Sequence, residues 1–224
     1  MDTPHHLQPN ATSPLQSQPR TTQLFLEQQR VHWISPLFDT TAIDDIFSRI
    51  RSLMALRMSK RFEVSVSPNG DSYSDQIYTL QNELFHLSSS AESTTVLEKC
   101  CCLAATIYIL VGLCDMSFHA RLVETTAERL CRHAEQVAEE MLFVGSKDDC
   151  EYMKLFWPMT IGCIALGLKE QRHSLINLMK TVSELANCGT ALHKNDLLRR
   201  VAWDTAWDKY LPPLWNEIDN FEVP

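Results

Sequence analysis

Apolar positions along the chain recur at helical spacing, and they become dense only after residue 40. Ile43, Ile46, Phe47, Ile50, Leu53 and Met54 follow the i, i+3, i+4, i+7 stripe of an amphipathic helix. Asp39 or Thr41 stands ready to accept its orphan N–H groups. The spacing predicts a first helix over Thr41 to Lys60. Ser67-Pro68-Asn69-Gly70-Asp71 then breaks the chain, since proline fixes φ and Asn-Gly readily takes positive φ. A second helix is predicted from Tyr73 to Leu87, with Ile77, Leu80, Leu84 and Leu87 on one face and Ser88-Ser89-Ser90 ending it.

Leu97 to Leu113 (LEKCCCLAATIYILVGL) is apolar nearly all round, so the helix it predicts must be enclosed by others. Ser89 with Glu92, or Thr95 with Glu98, offers it a capping box. The fourth helix, Ala120 to Phe143, sets Val123, Ala127, Leu130, Ala134, Val137 and Met141 on one face. The opposite face carries Arg121, Glu124, Glu128, Arg132, Glu135 and Glu139, a pattern expected to be solvated. Cys150 to Leu168 also reads as helical. Its Leu155-Phe156-Trp157-Pro158 leads into an apolar part, Met159 to Leu168, and the proline is expected at a helix start or first turn, where its missing N–H costs least. Helices over Gln171 to Ala186 and Asp196 to Tyr210 complete the set. The expected fold is all-α, an irregular array of about seven helices around the central apolar one. No repeat of 33 to 47 residues is evident, although helix pairs could still stack as in a solenoid.

Composition sharpens this picture in three places. The first 30 residues are rich in Pro, Gln, Ser and Thr, with Pro4, Pro9, Pro14 and Pro19 at every fifth position, and hold too few apolar groups to offset ordering entropy. Residues 1–30 are therefore expected to be a disordered leader or linker, and 31–224 a helical domain. With 224 residues and 45% hydrophobic content, one substantial core is the natural size. A formal charge of −8 argues against direct nucleic-acid binding, which needs clustered Lys and Arg. The apolar run Cys100 to Cys114 falls short of the roughly 18 to 20 residues that cross a bilayer and reads as a buried helix.

Candidate chemistry is sparse. Cys100, Cys101 and Cys102 are adjacent, and on a helix adjacent side chains diverge by about 100°, so they cannot converge on one metal ion. Cys131, Cys150, Cys163 and Cys188 are isolated. The eight cysteines read as reduced, small hydrophobes in an intracellular protein, as no secretory signal opens the chain. Cys131 and His133 lie about 200° apart on their helix, and no H-E-x-x-H pair exists. Nucleophile elbow, Walker loop and dinucleotide fingerprint are all missing. Asp44-Asp45, Glu139-Glu140 and Asp148-Asp149 are adjacent acids that point apart. No catalytic, cofactor-binding, metal or DNA-binding residue is assigned, and a non-enzymatic protein is expected. Arg57-Met58-Ser59-Lys60-Arg61, with Arg49 and Arg51, is either a weak nuclear-import signal or a basic solvent face. Trp203 and Trp207, with Tyr210 and Leu211-Pro212-Pro213-Leu214-Trp215, form an aromatic stripe that suits a core or, if exposed, a partner surface.

Four segments in order resemble the C-terminal regulatory region of fungal zinc-cluster transcription factors, the fungal-specific transcription factor domain. They are Trp33 through Arg51, with Ser35-Pro36-Leu37-Phe38 and Ile46-Phe47-Ser48-Arg49-Ile50; Leu103 through Leu110; Leu155 through Cys163; and Val201-Ala202-Trp203 through Asp208. The resemblance covers residues 31 to 219. It implies a nuclear transcription regulator, expected to control a metabolic or secondary-metabolite biosynthetic gene set. The six-cysteine cluster that such factors place before this region has no counterpart, because no cysteine precedes Cys100. Action through protein contacts is therefore expected, with a DNA-binding partner or homodimer and with DNA reached only indirectly. A truncated gene model, a naturally cluster-less regulator and a relic would each produce such a chain. A small helical ligand-binding protein or motif-less enzyme is the alternative.

Overall fold

The helical stripes fold into eight α-helices, joined to no strand among the described residues. The computed structural model describes residues 41–58, 72–89, 94–144, 149–167, 170–185 and 188–221. All lie within one compact unit, Trp33–Pro224. The helices are α1 (Thr41–Met58), α2 (Tyr73–Ser89), α3 (Val96–Gly112), α4 (Arg121–Val144), α5 (Asp149–Leu166), α6 (Glu170–Leu185), α7 (Ala191–Val201) and, after a 3-10 segment at Thr205–Tyr210, α8 (Leu211–Asp219). The expected leader, residues 1–30, lies outside the described residues, as do the Ser67–Asp71 break and Glu92.

The central helix is α3, and α1, α2, α4 and α5 all pack on it. Its start is set by Thr95, whose hydroxyl accepts the Glu98 N–H at 3.1 Å while the Glu98 carboxylate accepts the Thr95 N–H at 2.8 Å. This reciprocal cap satisfies two orphan donors. From Cys100 to Leu110 every side chain but Thr106 is buried. The Thr106 hydroxyl turns back on its own helix to the Cys102 carbonyl. At the far end, Cys114 N–H donates to Ile109 O and Met116 N–H to Leu110 O, both at 3.0 Å, around Asp115 at φ 54°. Arg57 of α1 closes this end by bonding Gly112 O and the Asp115 carboxylate.

Pro158 departs from expectation. It sits inside α5, which begins at Asp149, and not in a first turn. A proline there leaves the carbonyl of residue 154 without its helical donor. The Cys101 thiol of α3 points at that Lys154 carbonyl, 3.8 Å away. The interior proline is thus accommodated across the α3–α5 contact. Cys101→Ala should therefore cost on the order of 1 kcal/mol through a less satisfied carbonyl. In a Pro158→Ala background, where an N–H is restored to that carbonyl, the same change should cost less. A double-mutant cycle in urea unfolding measures the difference.

The C-terminal region is also corrected. Instead of one helix over Asp196 to Tyr210, α7 starts at the Thr190 cap, ends at Val201, and gives way to extended backbone at Ala202 (φ −164°, ψ 113°). The cause is long-range. Trp157 Nε1 donates to Ala202 O at 2.7 Å, which turns that carbonyl inward. Asp204 then caps the 3-10 segment by accepting from Ala206 N–H at 2.8 Å. Pro212 and Pro213 fall in the first turn of α8, where proline is favoured, so the Leu211 to Trp215 stretch starts a helix of its own.

Candidate functional site

Five rings from distant parts of the chain meet beside α3. Phe47 of α1 packs edge-on to Trp157 of α5 at 5.3 Å, and Tyr108 of α3 does so at 5.9 Å. Tyr108 continues to Trp207 at 4.9 Å, and Trp207 meets Trp203 at 6.0 Å. Trp207 is buried and Trp203 half-buried, so the stripe is core in the main. Trp203 Nε1 donates to the Asp208 carboxylate at 2.8 Å. Burial, with the carboxylates of Asp204 and Asp208 adding to it, pushes the Tyr108 phenol well above its ordinary value.

At its outer edge this aromatic chain lines a cleft of about 760 Å³. Phe118, in the connection between α3 and α4, lies edge-on to both Trp207 and Tyr210, each at 5.5 Å, and forms one wall with Tyr210. The base comes from the last turn of α5: Cys163, Ile164 and Leu166. That helix stops because Gly167 takes φ +60°, a conformation that suits glycine. Arg172 of α6 donates to Gly167 O at 2.7 Å and pairs with Glu217 of α8 at 2.6 Å, its side chain only 15% exposed. One guanidinium therefore ties the end of α5, the start of α6 and α8 around the cleft. Glu124 and His119 also line it.

No family model, curated protein or solved structure matches the chain.

The residues singled out by their chemistry are placed as follows. Cys100, Cys101 and Cys102 are all buried on α3. Burial pushes the Cys100 and Cys102 thiols up to about 12 and that of Cys101 well above its ordinary value. Cys131 is raised to about 12 by burial and by Glu135, and its thiol reaches Gln171 O at 3.5 Å. Burial and then the charges of Arg129, Lys99 and Arg132 lower the His133 pKa. Among the described residues no three His, Cys, Asp or Glu side chains gather as a metal site. No described helix is long and apolar enough to cross a membrane.

The basic cluster divides. Arg49 pairs with Glu83 at 2.6 Å, Arg51 donates to Val201 O at 2.9 Å, and Arg57 closes α3. These three arginines bind parts of the fold together. Ser59, Lys60 and Arg61 lie outside the described residues. Sequence reasoning did not single out Arg172, Glu217, Phe118 or Lys194. Lys194 is fully buried on α7, pairs with Asp219 at 2.7 Å and lies 5.5 Å from the Trp215 ring. A glycine followed five residues on by an arginine was the one local cue to the Arg172 contact. Glu217 and Phe118 had none.

Proposed function

We propose that this chain is a transcription regulator of the fungal zinc-cluster type, its helical body acting in the nucleus through protein contacts. One observation carries the reading. Each of the four segments on which the resemblance rests contributes to a single packed unit: Phe47, Tyr108, Trp157 and the Ala202 to Trp207 stretch touch in series. Segments that meet in one core are the parts of a single domain.

Tethering the whole chain to a heterologous DNA-binding domain should change reporter output several-fold, in one direction, at a promoter carrying the matching sites. Unchanged output across several promoters and hosts, with the fusion present in the nucleus, overturns the reading. The cleft beside Phe118 favours a second reading, a small helical ligand-binding protein, since its volume lies in the range of small-molecule sites. For a regulator, the same cleft would give an effector a place to shift a two-state equilibrium.

A further inference from the structure

We infer that the cleft between the Phe118–Tyr210 wall and the Arg172–Glu217 pair binds a small, uncharged, ring-bearing molecule and discriminates against organic acids. The inference rests on the ligand-binding role given to this cleft and is independent of the transcriptional reading.

Size and lining set the first half of the claim. About 760 Å³ accommodates a molecule of two or three rings. Phe118 and Tyr210 present aromatic surface, and Ile164, Leu166 and Pro213 supply apolar surface around it. Behind the wall, Trp207 holds Phe118 at 5.5 Å and Tyr210 at 6.3 Å, so both rings are braced from within. A braced aromatic wall costs little side-chain entropy when a flat ligand settles on it.

Charge sets the second half. The guanidinium of Arg172 would be the natural partner of a ligand carboxylate, but its two terminal nitrogens are already engaged by Gly167 O and Glu217. Glu217, itself part of the lining, already holds this guanidinium at 2.6 Å. An entering anion must displace Glu217 to reach Arg172. A neutral ligand with a hydroxyl or amide N–H meets the reverse situation. The Glu217 carboxylate has acceptor capacity beyond its bond to Arg172, so it can take that hydrogen bond while keeping its ion pair.

Two fluorescent probes separate these terms: N-phenylnaphthylamine, which is neutral, and anilinonaphthalenesulfonate, which carries the same rings plus a sulfonate. Titrated into the whole chain, the neutral probe should bind saturably with quenching of tryptophan emission, and the sulfonate should bind weaker by about tenfold or more. Glu217→Gln removes one carboxylate and releases Arg172, so it should narrow that ratio. Ile164→Trp, filling the base, and Pro213→Trp, at an exposed position on the rim, should each weaken the neutral probe while helicity is retained. Unsaturable neutral-probe binding, equal or tighter sulfonate binding, or unchanged affinity in Pro213→Trp overturns the inference. None of these outcomes touches the tethered-reporter result, so the two readings fail separately.

Discussion

Trp157→Ala is expected to lower the unfolding free energy by about 3–5 kcal/mol, the upper range for loss of a buried aromatic. The indole is only 1% exposed and lies between Phe47 and Tyr108. Truncation opens a cavity where α1, α3 and α5 meet. It also removes the N–H that holds the Ala202 carbonyl, leaving an inward-turned acceptor without that donor. Trp157→Phe separates the two effects, because it keeps most of the ring volume and loses the hydrogen bond. Its cost should be smaller, about 1–3 kcal/mol. Urea unfolding followed by far-ultraviolet circular dichroism gives both values. Equal midpoints for wild type and Trp157→Ala would mean that the indole does not hold these helices together.

Gly162→Val should be the second large loss, about 1–3 kcal/mol from overpacking. A Cβ at Gly162 would stand 3.0 Å from Leu175 Cδ1 of α6 and 3.2 Å from Leu130 Cδ2 of α4. Both leucines are fully buried, so neither can swing into solvent to make room. Gly162→Ala adds one methyl at that tight point but gains about 1 kcal/mol of helix propensity, and the two should nearly cancel. Valine adds two further methyls and a stiff χ1, and gains less helix propensity over glycine than alanine does. The glycine is therefore the point where α5 lets α4 and α6 approach it closely. Thermal unfolding midpoints of the two variants should diverge, with Ala near wild type and Val well below. A Val midpoint at or above the Ala one would contradict this packing.

How much could be read in advance depended on the range of the deciding interaction. The start of α3 rests on Thr95 and Glu98, three residues apart, and its burial on an uninterrupted apolar run. Both are local, and both were legible. The stripe of α4 was equally plain, with Val123, Ala127, Leu130 and Ala134 all fully buried. The break after Val201 was not, because the Trp157 indole that causes it comes from 45 residues earlier. The interior position of Pro158 was hidden for the same reason, since the thiol facing the freed carbonyl belongs to another helix. The cleft was least legible of all. Phe118, Arg172 and Glu217 stand on separate elements, and each looks ordinary within its own stretch of chain.

The three adjacent thiols of α3 tie the chemistry of sulfur to the packing around that helix. Cys100, Cys101 and Cys102 diverge around the helix, and each is free and buried. Oxidation of Cys101 to a sulfenic or sulfinic acid would place a bulkier polar group where a thiol now faces the Lys154 carbonyl. The same burial that keeps these thiols protonated also keeps oxidants away while the helices stay closed. Damage would follow opening, and once it reached the sulfinic acid, which is not readily reduced, it would hinder reclosure.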